Sequence, residues 1–256
     1  MTGVLPFDEA GEGPAVVLLH AGVAERSMWA EHLPALAASG HRALAVDLPG
    51  FGAAPESATA PWLEVLQTMS GLGIDRAVLI GNSLGGAVAL RVAHAAPERV
   101  RALMLISAPP PDLEPSEQLR EAWRAEEEAY DRGDIDGAVE AVVAAWTLPD
   151  ASAALRERIA AAQRRAYEHA AAAGQYEEPP DSLEEDPSAL TRLAMPALVL
   201  AGEREMLDFR EGAVALAQAL PHARHVLIAG AGHLAPLETP EVFRALMLEW
   251  LAELGD

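Results

Sequence analysis

A chain of 256 residues, half of them apolar, is long enough for one large domain or for a domain carrying an insertion. It contains no cysteine and no lysine, which excludes a disulfide framework, a thiol nucleophile, a thiolate metal site, a phosphate-loop lysine and a Schiff-base lysine. A formal net charge of −21 argues against nucleic acid and anionic membranes as partners, and it gives an anionic substrate no long-range attraction.

The N-terminal Met1-Thr2-Gly3-Val4 has no basic leader character, and no run of about 18 apolar residues follows. A soluble, cytoplasmic protein is expected. Residues 4–7 are assigned a short antiparallel edge strand. Val16-Val17-Leu18-Leu19 is a continuous apolar run, the pattern of a strand buried on both faces. Equivalent runs are Ala43-Leu44-Ala45-Val46, Ala77-Val78-Leu79-Ile80, Ala102-Leu103-Met104-Leu105-Ile106, Ala197-Leu198-Val199-Leu200 and Val226-Leu227-Ile228. Helical patterns occupy 28–38, 61–72, 84–95, 212–220 and 240–254; the last places Phe243, Leu246, Met247, Trp250 and Leu254 on one face. Strands alternating with helices imply an α/β fold with a doubly wound, mostly parallel sheet.

Residues 108–192 break that rhythm. The stretch opens with Pro109-Pro110-Pro111 and closes near Glu177-Glu178-Pro179-Pro180, with helical patterns over 117–132, 136–146 and 152–173. A solvated linker is poor in aromatics. Here Trp123, Tyr130, Trp146 and Tyr167 recur at helical spacings and need something to bury against. The expectation is a helical cap at 108–192, set into a core made of 1–107 and 193–256.

Chemistry concentrates at Gly81-Asn82-Ser83-Leu84-Gly85, where a buried strand stops and a helix starts at once. A serine at such an apex strains the backbone, and side chains two residues to either side would collide there; this is the steric basis of the nucleophile elbow. A hydroxyl is a weak nucleophile and needs a base, itself oriented by an acid. His233, on Gly230-Ala231-Gly232-His233 after the last strand, reaches the same sheet edge and is the expected base. The acid belongs after the preceding strand, where Glu203, Glu205 and Asp208 are all available. The Leu84 N–H, at a helix N-terminus just after the serine, suits an oxyanion hole, and a second donor is expected from His20-Ala21-Gly22-Val23. His20 itself precedes that loop and is read as holding its shape.

On these residues, with Asp47-Leu48-Pro49-Gly50-Phe51-Gly52, Gly202-Glu203-Arg204-Glu205 and Gly232-His233, the chain resembles the α/β-hydrolase superfamily. The likeness is to its capped serine esterase and enol-lactonase branch. It implies Ser83 as nucleophile, His233 as base, and the Leu84 and Gly22 amides as oxyanion donors. It also implies Glu205 as the acid, three residues after Gly202 where the family has aspartate; Asp208 and Asp112 are the rivals. The family's His-Gly-x stands here as His20-Ala21-Gly22. The function so implied is hydrolysis of carboxylic esters without metal or other cofactor, on a small-molecule ester, by a monomer or homodimer. Lactone hydrolysis, C–C hydrolysis or peracid formation on the same triad, and a ligand receptor on a hydrolase fold, are the alternatives. Met28, Trp29, Phe51, Trp123 and Trp146 are expected to wall an apolar pocket that favours uncharged, small to medium esters.

Overall fold

The apolar runs become strands of one seven-stranded sheet in the computed structural model, which describes residues 3–173 and 180–255. The strands are β1 (Phe7–Ala10), β2 (Ala15–Leu19), β3 (Arg42–Val46), β4 (Ala77–Asn82), β5 (Val100–Ile106), β6 (Ala197–Gly202) and β7 (Ala223–Ile228). Their spatial order is β1-β3-β2-β4-β5-β6-β7, parallel throughout except for the antiparallel β1–β3 edge. The chain winds outward from β2 to β3, then returns to the other side of β2 for β4. That reversal is a topological switch point, and ligands of such sheets bind beyond the carboxyl ends of the strands there.

The edge strand lies at Phe7–Ala10, not at 4–7. Pro6 has no N–H to give to a ladder, and Leu5 is instead buried, its N–H bonded to Thr68 Oγ1 at 2.9 Å.

The helices α1 (Leu33–Ala38), α2 (Pro61–Gly71) and α3 (Leu84–Ala95) follow β2, β3 and β4. The pattern at 28–38 is divided: a 3-10 turn at Arg26–Trp29 precedes α1. Pro34 is tolerated only in a first turn, so the α-helix starts beside it.

Between β5 and β6 lie α4 (Glu117–Asp131), α5 (Ile135–Trp146), α6 (Ala153–Ala172) and α7 (Ser182–Glu185). Ser116, Asp134 and Ser152 cap the first three, each accepting from the N–H three residues on. Tyr130 and Tyr167 pack ring to ring at 4.9 Å beside Ala129, Ala138 and Val139. Leu119, Val142, Trp146 and Ile159 join the apolar layer on one face of the sheet. Burying each large apolar side chain stabilises the fold by roughly 1.5–3 kcal/mol, enough to seat these helices on the core. Leu183, Ala189 and Leu190 pack into the layer on the opposite face. The expected break at Glu177-Glu178-Pro179 lies outside the described residues.

After β6 comes α8 (Leu207–Ala219), and after β7 come α9 (Ala235–Glu238) and α10 (Pro240–Glu253). The helix expected to open at 212 opens at Leu207. Gly212 is an interior glycine of close approach, since a Cβ there would lie 2.8 Å from Pro110 Cδ. On α10, Phe243, Met247, Trp250 and Leu251 are buried. Among the described residues no helix is long and apolar enough to cross a membrane.

Candidate active site

Ser83 stands between β4 and α3 with φ 52° and ψ −115°, a conformation that costs a non-glycine residue energy. The surroundings enforce it. A Cβ on Gly81 would overlap the Gly85 carbonyl, and a Cβ on Gly85 would overlap Leu19 O at the end of β2. The elbow therefore needs both glycines so that α3 can press against the sheet. The Ser83 N–H donates to Ile106 O at 2.8 Å, tying the apex to β5.

His233 lies on the loop after β7. Its Nδ1 meets Glu205 Oε1 at 2.5 Å, and the Glu205 side chain is 1% exposed. The second carboxylate oxygen is also held, accepting from Ser107 Oγ at 2.6 Å and from the Gly202 N–H at 3.2 Å. The histidine loop is pinned on several sides. Asn82, the chain's single asparagine, donates to His233 O at 3.1 Å, and Glu238 accepts from the Gly232 N–H at 2.7 Å. The Arg204 N–H donates to Ala231 O at 2.8 Å. The imidazole is packed between Trp146 and Phe209, each with ring centroids 4.6 Å away.

The other acid candidates are engaged elsewhere. Asp208 accepts from the Ser116 N–H at 2.6 Å and from Ser116 Oγ at 2.7 Å, so it anchors the start of α4. Partial burial pushes its pKa up, but the Ser116 bonds outweigh this and hold it below the usual carboxylate range. Glu203 is exposed and accepts from the Gly230 N–H, and Asp112 is exposed.

His20 uses both ring nitrogens. Nδ1–H donates to Ala21 O at 2.8 Å, and Nε2 accepts from the Leu48 N–H at 2.9 Å. That pattern requires a neutral ring, and burial lowers its pKa accordingly. His20 thus couples the loops after β2 and β3. Asp47 does the same by accepting the Arg26 and Ala53 N–H groups, each at 2.8 Å. Gly22 is thereby laid over Leu84, near enough that a Cβ would sit 3.6 Å from Leu84 Cβ.

Ser83, Leu84, Gly22 and His233 line one cavity of about 800 Å³. Trp123 and Trp146 line it too. Met28, Trp29 and Phe51 do not. Met28 and Trp29 are fully buried on the sheet's helix-packed face, with Trp29 against Phe243, and Phe51 packs edge-on to His20. An apolar side chain satisfies its hydrophobic drive equally in a core or at a cavity wall, so composition could not separate the two. Phe209, Gln163 and Glu126 line the cavity and were missed, as was Ser107 beneath Glu205. Ser107 is a non-glycine residue with φ 49°, for which the sequence carries no signal.

The strained serine heads a helix on a cavity shared with a carboxylate-bonded histidine, so a hydroxyl, an imidazole and a carboxylate are brought to one place. The family described as alpha/beta hydrolase fold matches residues 14–240, and the chain belongs to it. The pimeloyl-[acyl-carrier protein] methyl ester esterase of Xanthomonas oryzae pv. oryzae is 33% identical over 245 residues, 89% of this chain and 90% of that protein. Bifunctional epoxide hydrolase 2 of Sus scrofa is 38% identical over 127 residues, 45% of this chain, and the match spans only 23% of that protein. Among solved structures, a thermophilic esterase from Thermogutta terrifontis aligns with TM-score 0.79 at 28% identity, over 98% of this chain and 94% of that one. The enol-lactonase from Burkholderia xenovorans LB400 aligns with TM-score 0.79 at 22% identity, over 97% and 96%, a likeness of fold.

Proposed function

We propose that the protein is a serine hydrolase of carboxylic esters that works without a metal or other cofactor. The observation that carries this reading is the Glu205–His233 pair on the cavity that also holds the strained Ser83. With Nδ1–H donated to Glu205, Nε2 of His233 keeps its lone pair and can accept the Ser83 proton. Ser83 Oγ then attacks the ester carbonyl. The developing oxyanion is received by the Leu84 N–H, at the open N-terminus of α3, and by the Gly22 N–H. Protonated His233 returns its proton to the alkoxide as the alcohol leaves. Water, deprotonated by the same imidazole, attacks the acyl-enzyme and releases the acid and free Ser83. The esterase names among the relatives support the reaction class. The substrate is a small-molecule ester.

The test is turnover of p-nitrophenyl esters from acetate to long chains, together with a phosphonate probe. Wild-type protein is expected to release p-nitrophenol and to gain the probe's mass on the peptide carrying Ser83. Ser83→Ala is expected to lose both while its melting temperature holds. Turnover surviving in Ser83→Ala, or labelling elsewhere, overturns the mechanism.

A further inference from the structure

The wall of the cavity opposite the sheet has a chemistry that ester cleavage does not call for. Helix α4 contributes Trp123 and Glu126, which stand one turn apart on the same side, and α6 contributes Gln163. Trp123 is 44% exposed, although a tryptophan is normally driven into a core, so its ring is left open at the cavity. Glu126 is oriented by Tyr167, whose hydroxyl donates to Oε1 at 2.8 Å. Burial raises the Glu126 pKa, the mark of a carboxylate short of compensating charge.

Among the described residues that line the cavity, no spare positive charge serves Glu126. Arg91, the arginine in the lining, is spent: it pairs with Asp181, reaches Glu184 at 2.7 Å and donates to Ala87 O at 3.1 Å. An open indole face beside a fixed carboxylate is the chemistry that receives an ammonium ion. The chain's net charge of −21 adds a field that draws cations and repels anions. We propose that Trp123 and Glu126 form a distal subsite that binds an ammonium group on the ester substrate, remote from the scissile carbonyl. The proposal rests on the ester-hydrolase reading for its substrate, but the ammonium subsite can be tested without turnover.

Two isosteric pairs read the preference: β-alanine ethyl ester against ethyl butanoate for the acyl side, and acetylcholine against 3,3-dimethylbutyl acetate for the alcohol side. In wild-type protein the cationic member of at least one pair is expected to have about tenfold higher kcat/KM. In Glu126→Gln, which keeps the shape and can still accept from Tyr167, that ratio is expected to fall to about unity. In Trp123→Leu, at an exposed position, it is expected to fall severalfold. A second arm titrates propylammonium chloride into the protein, with sodium chloride as control, followed by NMR; Glu126→Gln is expected to bind about tenfold more weakly. Ratios of one or less in both pairs, or a preference and ammonium affinity untouched by both variants, overturn the subsite. Ammonium binding that depends on Glu126, in a protein that cleaves no ester, upholds the subsite and sinks the hydrolase reading. Ester turnover with no charge preference and no ammonium binding does the reverse.

Discussion

Changing Glu205 to glutamine tests the acid assignment most directly, because the carboxylate is held at both oxygens. Oε1 receives His233 Nδ1 at 2.5 Å, while Oε2 receives Ser107 Oγ at 2.6 Å and the Gly202 N–H at 3.2 Å. An amide has one acceptor and one donor end, so either orientation fails once. With its oxygen toward His233, its NH₂ is set against the Gly202 N–H, donor to donor. With its NH₂ toward His233, Nδ1 must become the acceptor, Nε2 takes the proton, and that tautomer cannot receive the proton of Ser83. Both orientations also lose the negative charge that stabilises the imidazolium. In a serine-protease triad the corresponding aspartate-to-asparagine change lowers kcat by about 10⁴, and at about 1.4 kcal/mol per decade this is near 5.5 kcal/mol of barrier. Glu205→Gln is expected to lose 10³ to about 10⁴ in kcat on p-nitrophenyl acetate with KM little changed. Asp208→Asn, measured in parallel, is expected to stay within about threefold of wild type, because Asp208 faces Ser116 rather than the imidazole. A Glu205→Gln enzyme within tenfold of wild type, with Asp208→Asn crippled at an unchanged melting temperature, would refute the reasoning and move the acid to Asp208.

Asp208→Asn should instead lower thermal stability: weakening two charge-assisted bonds costs about 1.5–3 kcal/mol, read by calorimetry as a drop of several degrees in Tm. Ser107→Ala should lower kcat about tenfold by loosening Glu205. Ser107→Gly should lose the same activity but melt higher than the alanine variant, since glycine relieves the φ of 49°; equal melting temperatures would deny the strain. Burial holds His20 below its ordinary 6.5, so the unfolded chain takes up its proton first and stability falls as pH drops below that value, by up to about 1.4 kcal/mol per pH unit. His32 is lowered by burial too and adds to the slope. Denaturation at a series of pH values should therefore show a shallower acid loss in His20→Asn, and an unchanged slope would place the proton uptake elsewhere.

Much of the site is legible in the sequence because its causes are local. The elbow needs glycine on both sides of Ser83 for steric reasons that act within five residues, and the apolar runs of β2 to β6 announce strands covered on both faces. Likewise the helical patterns over 117–132 and 152–173 become α4 and α6, whose first turns are closed by bonds from Ser116 and Ser152 to residues three positions on. Gly232-His233 after the last run places an imidazole at the same sheet edge as Ser83, because parallel strands present their carboxyl ends together. Other features exist only in three dimensions. Glu203, Glu205 and Asp208 all follow β6 within a few residues and carry the same charge; what separates them is that Glu205 turns under Ser107 while Asp208, in the first turn of α8, turns toward Ser116, residues about a hundred positions away. Met28 and Trp29 look as fit for a pocket wall as Trp123 and Trp146, yet the first pair fills the core and the second lines the cavity. Local sterics and capping bonds act over a few residues and leave their mark in the order of amino acids. Hydrophobic burial has no direction, and a carboxylate accepts from whichever donor the fold brings near, so those choices were made by the packing of the whole chain.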